Sequence, residues 1–514
     1  MPCYNLVIAL STPEHWCNVP GRKATNYTVD EWKMLTIPKE YSNERYSYSK
    51  CSMFNTSRLL ELNETFPQNF TNSEVIDCQY GWEYDKTWYS ETAVSQEDWV
   101  CEKELYVANT FALCRIGELL EAFVAGQLGD LVGRKPVFLA TLIALVIGKF
   151  ASVFTAHIFP LFLVAALIGS LSSTAVYSSP LIIAMEICKD TDRAHIAMLQ
   201  CLGWTIGLAT MPLIMWGVGH WTYFMVLTTL PCALFLFLYG YLIESPRWLI
   251  SRGKTARCIK ELQKIAKVNK TELPKDAILT LNLIAKDTEK VYGMMSLFSH
   301  WRLAKNTICI VICWIVTLLS YLVIILNTTN LNGNPFLNFF YQGLAEFPAY
   351  IIGRYVCDYF GRRWMHMGAF IGTTLGCLPL IMFINDSSFQ WLVTTIVVFL
   401  KFCISFAFYS VNLHALEIYP TCLRQTGMAL CSLSANAFCI LGPYIVYLGT
   451  AIDTRYPYII LALMSTLATI CGFILPETLN YKLPQTLAEA HNFGTEQEFC
   501  SVPKTPKQFE PVKT

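Results

Sequence analysis

The chain has 514 residues, 54% apolar and 15% charged, with a formal net charge of zero and a mean hydropathy of +0.39. A soluble globular chain is about one-quarter charged, so this composition excludes a string of soluble domains. The even charge balance gives no footing for nucleic acid or another strongly charged partner.

Residues 3–10, CYNLVIAL, are the first apolar stretch. As a helix they reach about 12 Å, where crossing a bilayer takes about 30 Å. No basic segment and cleavage site mark them as a signal peptide, so residues 1–13 are predicted to be the remnant of a first transmembrane helix. A hydrophilic segment follows, 14–104, with glycosylation sequons at Asn26, Asn55, Asn63 and Asn69. It also holds Cys17, Cys51, Cys78 and Cys101, an even set that admits two disulfides in three alternative pairings.

Beyond it lie eleven apolar runs of spanning length: 105–128, 137–156, 160–187, 196–218, 221–243, 306–327, 335–357, 365–385, 389–416, 426–448 and 456–475. The chain is therefore expected to be an all-α, multi-pass protein of the lipid bilayer. Lys and Arg gather in alternate loops, including Arg134/Lys135, the 244–305 segment, Arg362/Arg363 and Arg424. The positive-inside rule puts those loops and the 476–514 tail in the cytoplasm, and 14–104 outside. Within 244–305, RCIKELQKIAKVNK reads as a basic amphipathic helix lying on the membrane surface.

Two short motifs organise the spans. GQLGDLVGRKP (126–136) and GRYVCDYFGRR (353–363) share Asp-x-x-Gly-Arg and a second basic residue, with Asp130 and Asp358 separated by 228 positions. ESPRW begins at Glu244 and PET ends on the threonine after Glu477, so these acids stand 233 positions apart. Two landmarks with nearly one offset predict a doubled unit of about six helices, with a site between the halves. Gly126, Gly133 and Gly361 are expected to allow close helix approach and tight turns. Asp130, Arg134, Lys135, Asp358, Arg362 and Arg363 are expected to latch neighbouring helix ends in one conformation. A charged turn that merely fixes topology is the alternative.

Together these motifs resemble the major facilitator superfamily. The long loop after the first helix, ESPRWLISRGK (244–254) and EIYPTCLRQTG (417–427) narrow the resemblance to its organic cation, anion and zwitterion transporters. TPEHWCNVP (12–20), SYLVIILNTTNLNGNPFLNFF (320–340), EFPAY (346–350) and PYIVYLG (443–449) are most similar to the carnitine/organic-cation branch. The resemblance implies two six-helix bundles, 105–243 (here with a truncated first helix) and 306–475. It adds Glu186, Arg247, Glu417 and Arg424 to the gating set. The chain departs from the pattern at Leu131, where the family usually carries Arg, and at Ile243, where it usually carries Pro.

An ionisable side chain in a span costs several kcal/mol, about 2.5–3.5 on insertion scales, so each is a site candidate. Arg115, Glu118 and Glu121 lie three apart on one helical face. An Arg115–Glu118 pair would neutralise itself and leave Glu121 without an obvious partner. Lys401 needs a counter-charge that Glu346 or Glu121 can supply. By resemblance, Tyr177, Trp314, Tyr321, Glu346, Lys401, Tyr409 and Asn436 face the substrate. Trp314 and Tyr321 are seven apart and share a face, and aromatic faces attract ammonium groups. Singly, such aromatics are as often packed against lipid. Asn436 stands where the family distinguishes cations by Asp from anions by Arg. Its neutrality favours a small organic cation or carnitine-like zwitterion.

The expected function is transport of such a substrate by alternating access. No metal site or soluble cofactor is implied, and Na⁺ or H⁺ coupling is compatible with the sequence. An organic-anion carrier of the same fold and a non-transporting membrane glycoprotein are the alternatives. No metal-ligand cluster, P-loop or nucleophile–base arrangement points to an enzyme.

Overall fold

The computed structural model describes residues 4–22, 27–42, 45–55, 74–188, 193–273, 294–331, 333–420, 423–479, 481, 484, 487–493 and 497. Its first half starts with α1 (Asn5–Ala9), then β1 (His15–Cys17), α2 (Val29–Thr36), β2 (Lys39–Ser42), β3 (Arg45–Tyr48), β4 (Ser52–Phe54), β5 (Val75–Asp77), β6 (Trp82–Tyr84) and α3 (Ala93–Gln96). The long helices follow: α4 (Leu105–Val132), α5 (Arg134–Thr155), α6 (Phe159–Ser170), α7 (Ser173–Ile187), α8 (Arg193–Val218) and α9 (Trp221–Phe235). Two short helices, α10 (Pro246–Ser251) and α11 (Thr255–Val268), connect to the second half. That half comprises α12 (Trp301–Asn327), α13 (Pro335–Phe360), α14 (Arg362–Phe383), α15 (Gln390–Ile418), α16 (Arg424–Cys439), α17 (Gly442–Ala451), α18 (Tyr456–Ile474) and the terminal α19 (Leu487–Asn492).

Among the described residues, nine spans are long and apolar enough to cross a membrane. Each of the expected runs 160–187 and 426–448 is broken within, giving α6 with α7 and α16 with α17. Two further helices, α4 and α13, run 28 and 26 residues without interruption but are more polar. They carry Arg115, Glu118 and Glu121, and Glu346, Arg354 and Asp358. The same two helices bridge the halves, since α4 packs on α16 and α17, and α13 packs on α8. Of their charged residues, Glu121 and Glu346 are buried inside the helix packing, whereas Arg354 and Asp358 are exposed.

Among the described residues, the segment between α1 and α4 forms a unit of three antiparallel two-stranded ribbons, β1 with β6, β2 with β3 and β4 with β5, and its end, around Val94 and Trp99, packs into the helical core. Of the three disulfide pairings open to the sequence, it adopts Cys17–Cys78 and Cys51–Cys101. Cys101 lies just before α4, so the second bridge staples the unit to a spanning helix. Closing chain segments of 61 and 50 residues stabilises by about 4 kcal/mol each in the chain-entropy account. The double variant Cys51→Ala/Cys101→Ala should therefore lose proteolytic resistance in this unit, read by limited trypsin digestion. Asn55 follows β4 directly and is half-buried; Asn26, Asn63 and Asn69 lie outside the described residues.

Two apolar cores hold the helices. One joins both halves at the end carrying the ribbon unit, bringing Leu6, Met211 and Phe224 together with Leu326, Phe336 and Tyr458. The other lies wholly within residues 297–490, around Trp314, Phe370, Val411 and Ala468. The halves thus share a core at one end, while at the other the second half packs on itself.

Candidate functional site

The doubled motif builds the same latch twice. Helix α4 ends at Gly133 (φ 120°) and α13 at Gly361 (φ 91°), both in backbone regions that favour glycine. A side chain at Gly133 would also meet Glu244, whose Oε2 would stand 2.5 Å from the added carbon. That space lets Glu244 accept the first backbone N–H groups of α5, from Arg134 (3.1 Å) and Lys135 (3.2 Å). Glu477 does the same at α14, accepting from Arg362 (2.9 Å) and Arg363 (3.2 Å). A carboxylate on the unsatisfied N–H groups of a helix start is favoured by hydrogen bonding and by the helix dipole. The arginines repeat as well. Arg134 donates to the carbonyl of Gly129 and stands 3.8 Å from Glu186. Arg362 donates to the carbonyl of Cys357 and stands 3.1 Å from Glu417.

The motif aspartates are peripheral to this latch. Asp358 pairs with Arg362 at 3.3 Å from an exposed position. The side chains of Asp130 and Arg247, and the surroundings of Gly126, lie outside the described set. Arg424 is half-buried at the start of α16.

Midway along the helices, the expected charges meet. Lys401 on α15 and Glu346 on α13 form an ion pair at 2.9 Å, both with 0% side-chain exposure. Glu346, rather than Glu121, is thus the counter-charge. The Tyr321 hydroxyl donates to Glu346 Oε1 (2.7 Å) and accepts from the Trp204 indole N–H (3.2 Å). The Lys401 ammonium stands over the Tyr321 ring, 3.1 Å from its centre. Glu346 Oε2 is buried with no hydrogen-bond partner among the described residues. Tyr177 reaches the group through Trp204, edge-to-face at 5.4 Å, and Tyr4 packs on Trp204 likewise at 5.7 Å. Helices α7 and α8 of the first half and α12, α13 and α15 of the second converge on one aromatic, charged locus.

Other expected members lie elsewhere. Trp314 packs edge-to-face on Phe408 at 5.9 Å, inside the second-half core. Seven residues of helix rise about 10 Å, enough to put Trp314 and Tyr321 in different layers although they share a face. Tyr409 contacts Gly353 towards the latch, and Asn436 is half-buried on α16. Arg115 and Glu118 pair with each other at 2.6 Å, the self-neutralising arrangement. Glu121 is 2% exposed and accepts the backbone N–H of Ala175.

Sequence reasoning missed Trp204 and Tyr4, and also Lys149, which is 3% exposed on α5 and donates to Asn5 Oδ1 at 3.1 Å. It also missed a histidine pair. His366 Nε2 and His414 Nδ1 are 3.0 Å apart, both residues fully buried, and His414 Nε2 faces the Pro476 carbonyl at 2.8 Å. A carbonyl only accepts, so the His414 proton sits on Nε2 and His366 Nε2 donates to His414 Nδ1. The relay ties α14 and α15 to the residue preceding Glu477.

A family model described as "Sugar (and other) transporter" matches residues 72–488. The human protein named organic cation/carnitine transporter 2 is 29% identical over 490 residues, covering 94% of this chain and 86% of that one. A Drosophila melanogaster carcinine transporter is also 29% identical, over 97% of this chain and 76% of its own length. The inward-open structure of the xylose transporter XylE from E. coli superposes with a TM-score of 0.59 at 15% identity, covering 78% of this chain and 90% of that one.

Proposed function

The chain belongs to the sugar (and other) transporter family, within the major facilitator superfamily, and from that premise we propose that it carries small organic cations or carnitine-like zwitterions across the plasma membrane. Its relatives named for organic cations, carnitine and carcinine support the substrate class. The Lys401–Glu346 pair, closed over by Tyr321 and Trp204, is the observation that carries the reading.

A buried pair of opposite charges is the complement of a zwitterion. A substrate ammonium can take Glu346 Oε2 and the aromatic faces while its carboxylate meets Lys401, and the buried locus keeps zero net charge. A simple cation adds one charge and must move the Lys401 ammonium from Tyr321. A simple anion must pull Lys401 from Glu346, leaving a buried carboxylate uncompensated, which is the costlier exchange.

The ribbon unit faces outside and the latches face the cytoplasm. The core shared at the outer end and hydrogen bonds from Tyr444 to Asn109 and from Thr450 to Glu104 join the two halves on the outer side. The cytoplasmic latches stabilise the outward-open state, and rocking the halves about the central locus exposes it alternately.

Uptake kinetics in cells expressing the chain test this. Trp204→Ala should raise KM for tetraethylammonium about 30-fold, the value of ~2 kcal/mol for a desolvated cation–π contact. Trp314→Ala should lower the amount of folded protein and leave KM within about two-fold. Equal KM shifts in the two variants would place the substrate elsewhere.

A further inference from the structure

A second ligand site is built into the ribbon unit, well away from the central locus. A cavity of about 800 Å³ opens between the β1–β6 ribbon and α2, within the usual range of roughly 300–1,000 Å³ for small-molecule pockets. Its walls combine aromatic rings, Trp16, Trp82, Tyr84 and Tyr89, with five carboxylates, Glu14, Asp30, Glu83, Asp85 and Glu91, and two lysines, Lys33 and Lys86. Glu83 is paired with Arg22 at 3.2 Å and Glu91 with His220 at 2.7 Å, which leaves Glu14, Asp30 and Asp85 facing the lysines.

The architecture holds this set in place. Trp16 pairs across the ribbon with Glu83, and Cys17–Cys78 clamps the strand at the next residue. Helix α2 starts in a capping box between Thr28 and Glu31. It buries Trp32 in a small core with Cys17, Val19 and Met53 and turns Asp30 and Lys33, three residues apart, to the cavity. The Tyr84 hydroxyl donates to Asp98 at 2.9 Å.

One group in the cavity shows what chemistry it takes. The Lys33 ammonium lies over the Trp16 ring, 3.1 Å from its centre. An alkylammonium on an indole face, in a cavity whose wall also carries carboxylates, is the arrangement an organic ammonium ligand would adopt. The cavity also leads inward. Pro13, Glu14, Asp85 and Tyr89 line it and also a second hollow of about 680 Å³. That hollow descends along Val107 and Phe111 of α4 and Leu326 of α12 to Val446 and Tyr447 of α17, the seam between the halves.

We propose that this cavity is a second binding site, for organic ammonium ions, with Lys33 as a tethered competitor that a free ammonium displaces from Trp16. The site needs no transport to be occupied, so it stands whether or not the central locus carries substrate.

The test is equilibrium binding of radiolabelled tetraethylammonium to the purified full chain at 4 °C. The double variant Lys401→Met/Glu346→Gln, which removes both central charges and leaves none orphaned, should leave a saturable component intact. In that background Lys33→Gln should tighten the component about three- to five-fold, and Asp30→Asn should weaken it. Trp16→Ala should abolish it, whereas Trp16→Tyr should retain part of it. Raising salt from 0.01 to 0.15 M should weaken it, because the exposed carboxylates act through a screened field. Trp16 is nearly buried, and its removal risks unfolding the ribbon unit. The half-buried Lys33 on a helix surface avoids that risk, so Lys33→Gln decides alone. Unchanged or weaker binding in that variant, or no saturable component in the stably folded Lys401→Met/Glu346→Gln background, overturns the site.

Discussion

Lys401→Met is expected to destabilise the protein by about 3–5 kcal/mol and to abolish uptake, because it leaves Glu346 charged, buried and unpaired. The loss is severe here because both partners have no exposure and Glu346 Oε2 already lacks a hydrogen bond among the described residues. Among the described residues, only the Tyr321 hydroxyl would then still donate to the carboxylate. Combining it with Glu346→Gln removes the orphaned charge, and stability should return close to wild type. Uptake should not return, since both charges that recognise substrate are gone. Thermal unfolding in detergent, beside uptake in cells, separates the two effects. A Lys401→Met protein as stable as wild type would mean that the pair is not buried as described. A double variant that transports would mean that it is not the substrate's locus.

Glu477→Ala is expected to cost several kcal/mol and to cut uptake at least ten-fold. Glu477 is fully buried and accepts four backbone N–H groups, from Arg362, Arg363, Thr478 and Leu479. Hydrogen bonds to a charged acceptor contribute about 1.5–3 kcal/mol each, and leaving the α14 start unsatisfied adds to the loss. Glu244→Ala should cost less, because Glu244 is only half-buried. Glu477→Gln, which retains an acceptor oxygen but not the charge, should fall between wild type and Glu477→Ala. Unfolding temperatures of the three variants check the order. Equal losses at Glu244 and Glu477 would contradict the account of burial.

Much of the fold was legible because its signals are local. A run of apolar residues reveals a span, and Gly133 and Gly361 mark tight turns because few other residues accept their backbone angles. The offset between repeats also pointed to Glu244 and Glu477, but not to their contact with the helix starts. That geometry depends on the end of one span returning beside the start of another. It is why the motif aspartates looked central and the two glutamates turned out to be the acceptors.

The site was legible where charge was expensive. Glu346 and Lys401 stood out because lipid tolerates such groups only in pairs. Lys149, set in VIGKFAS, met the same criterion and was passed over; its partner Asn5 lies 144 residues away. The choice between Glu121 and Glu346 for Lys401 needed the register between helices, which helical spacing within one segment does not supply. The aromatic members failed for the same reason. Trp204 joins Tyr177 to Tyr321 across 117 residues of sequence, and Trp314 was grouped with Tyr321 on a periodicity that fixes the face but not the depth.

Uptake of radiolabelled carnitine into proteoliposomes holding only this chain is the most direct measurement, made beside the Glu346→Gln variant. The expected result is saturable uptake, inhibited by tetraethylammonium and reduced at least ten-fold by the substitution. Uptake no greater than in protein-free liposomes, or equal uptake by both proteins, would contradict a charged guest held at the meeting point of the two halves.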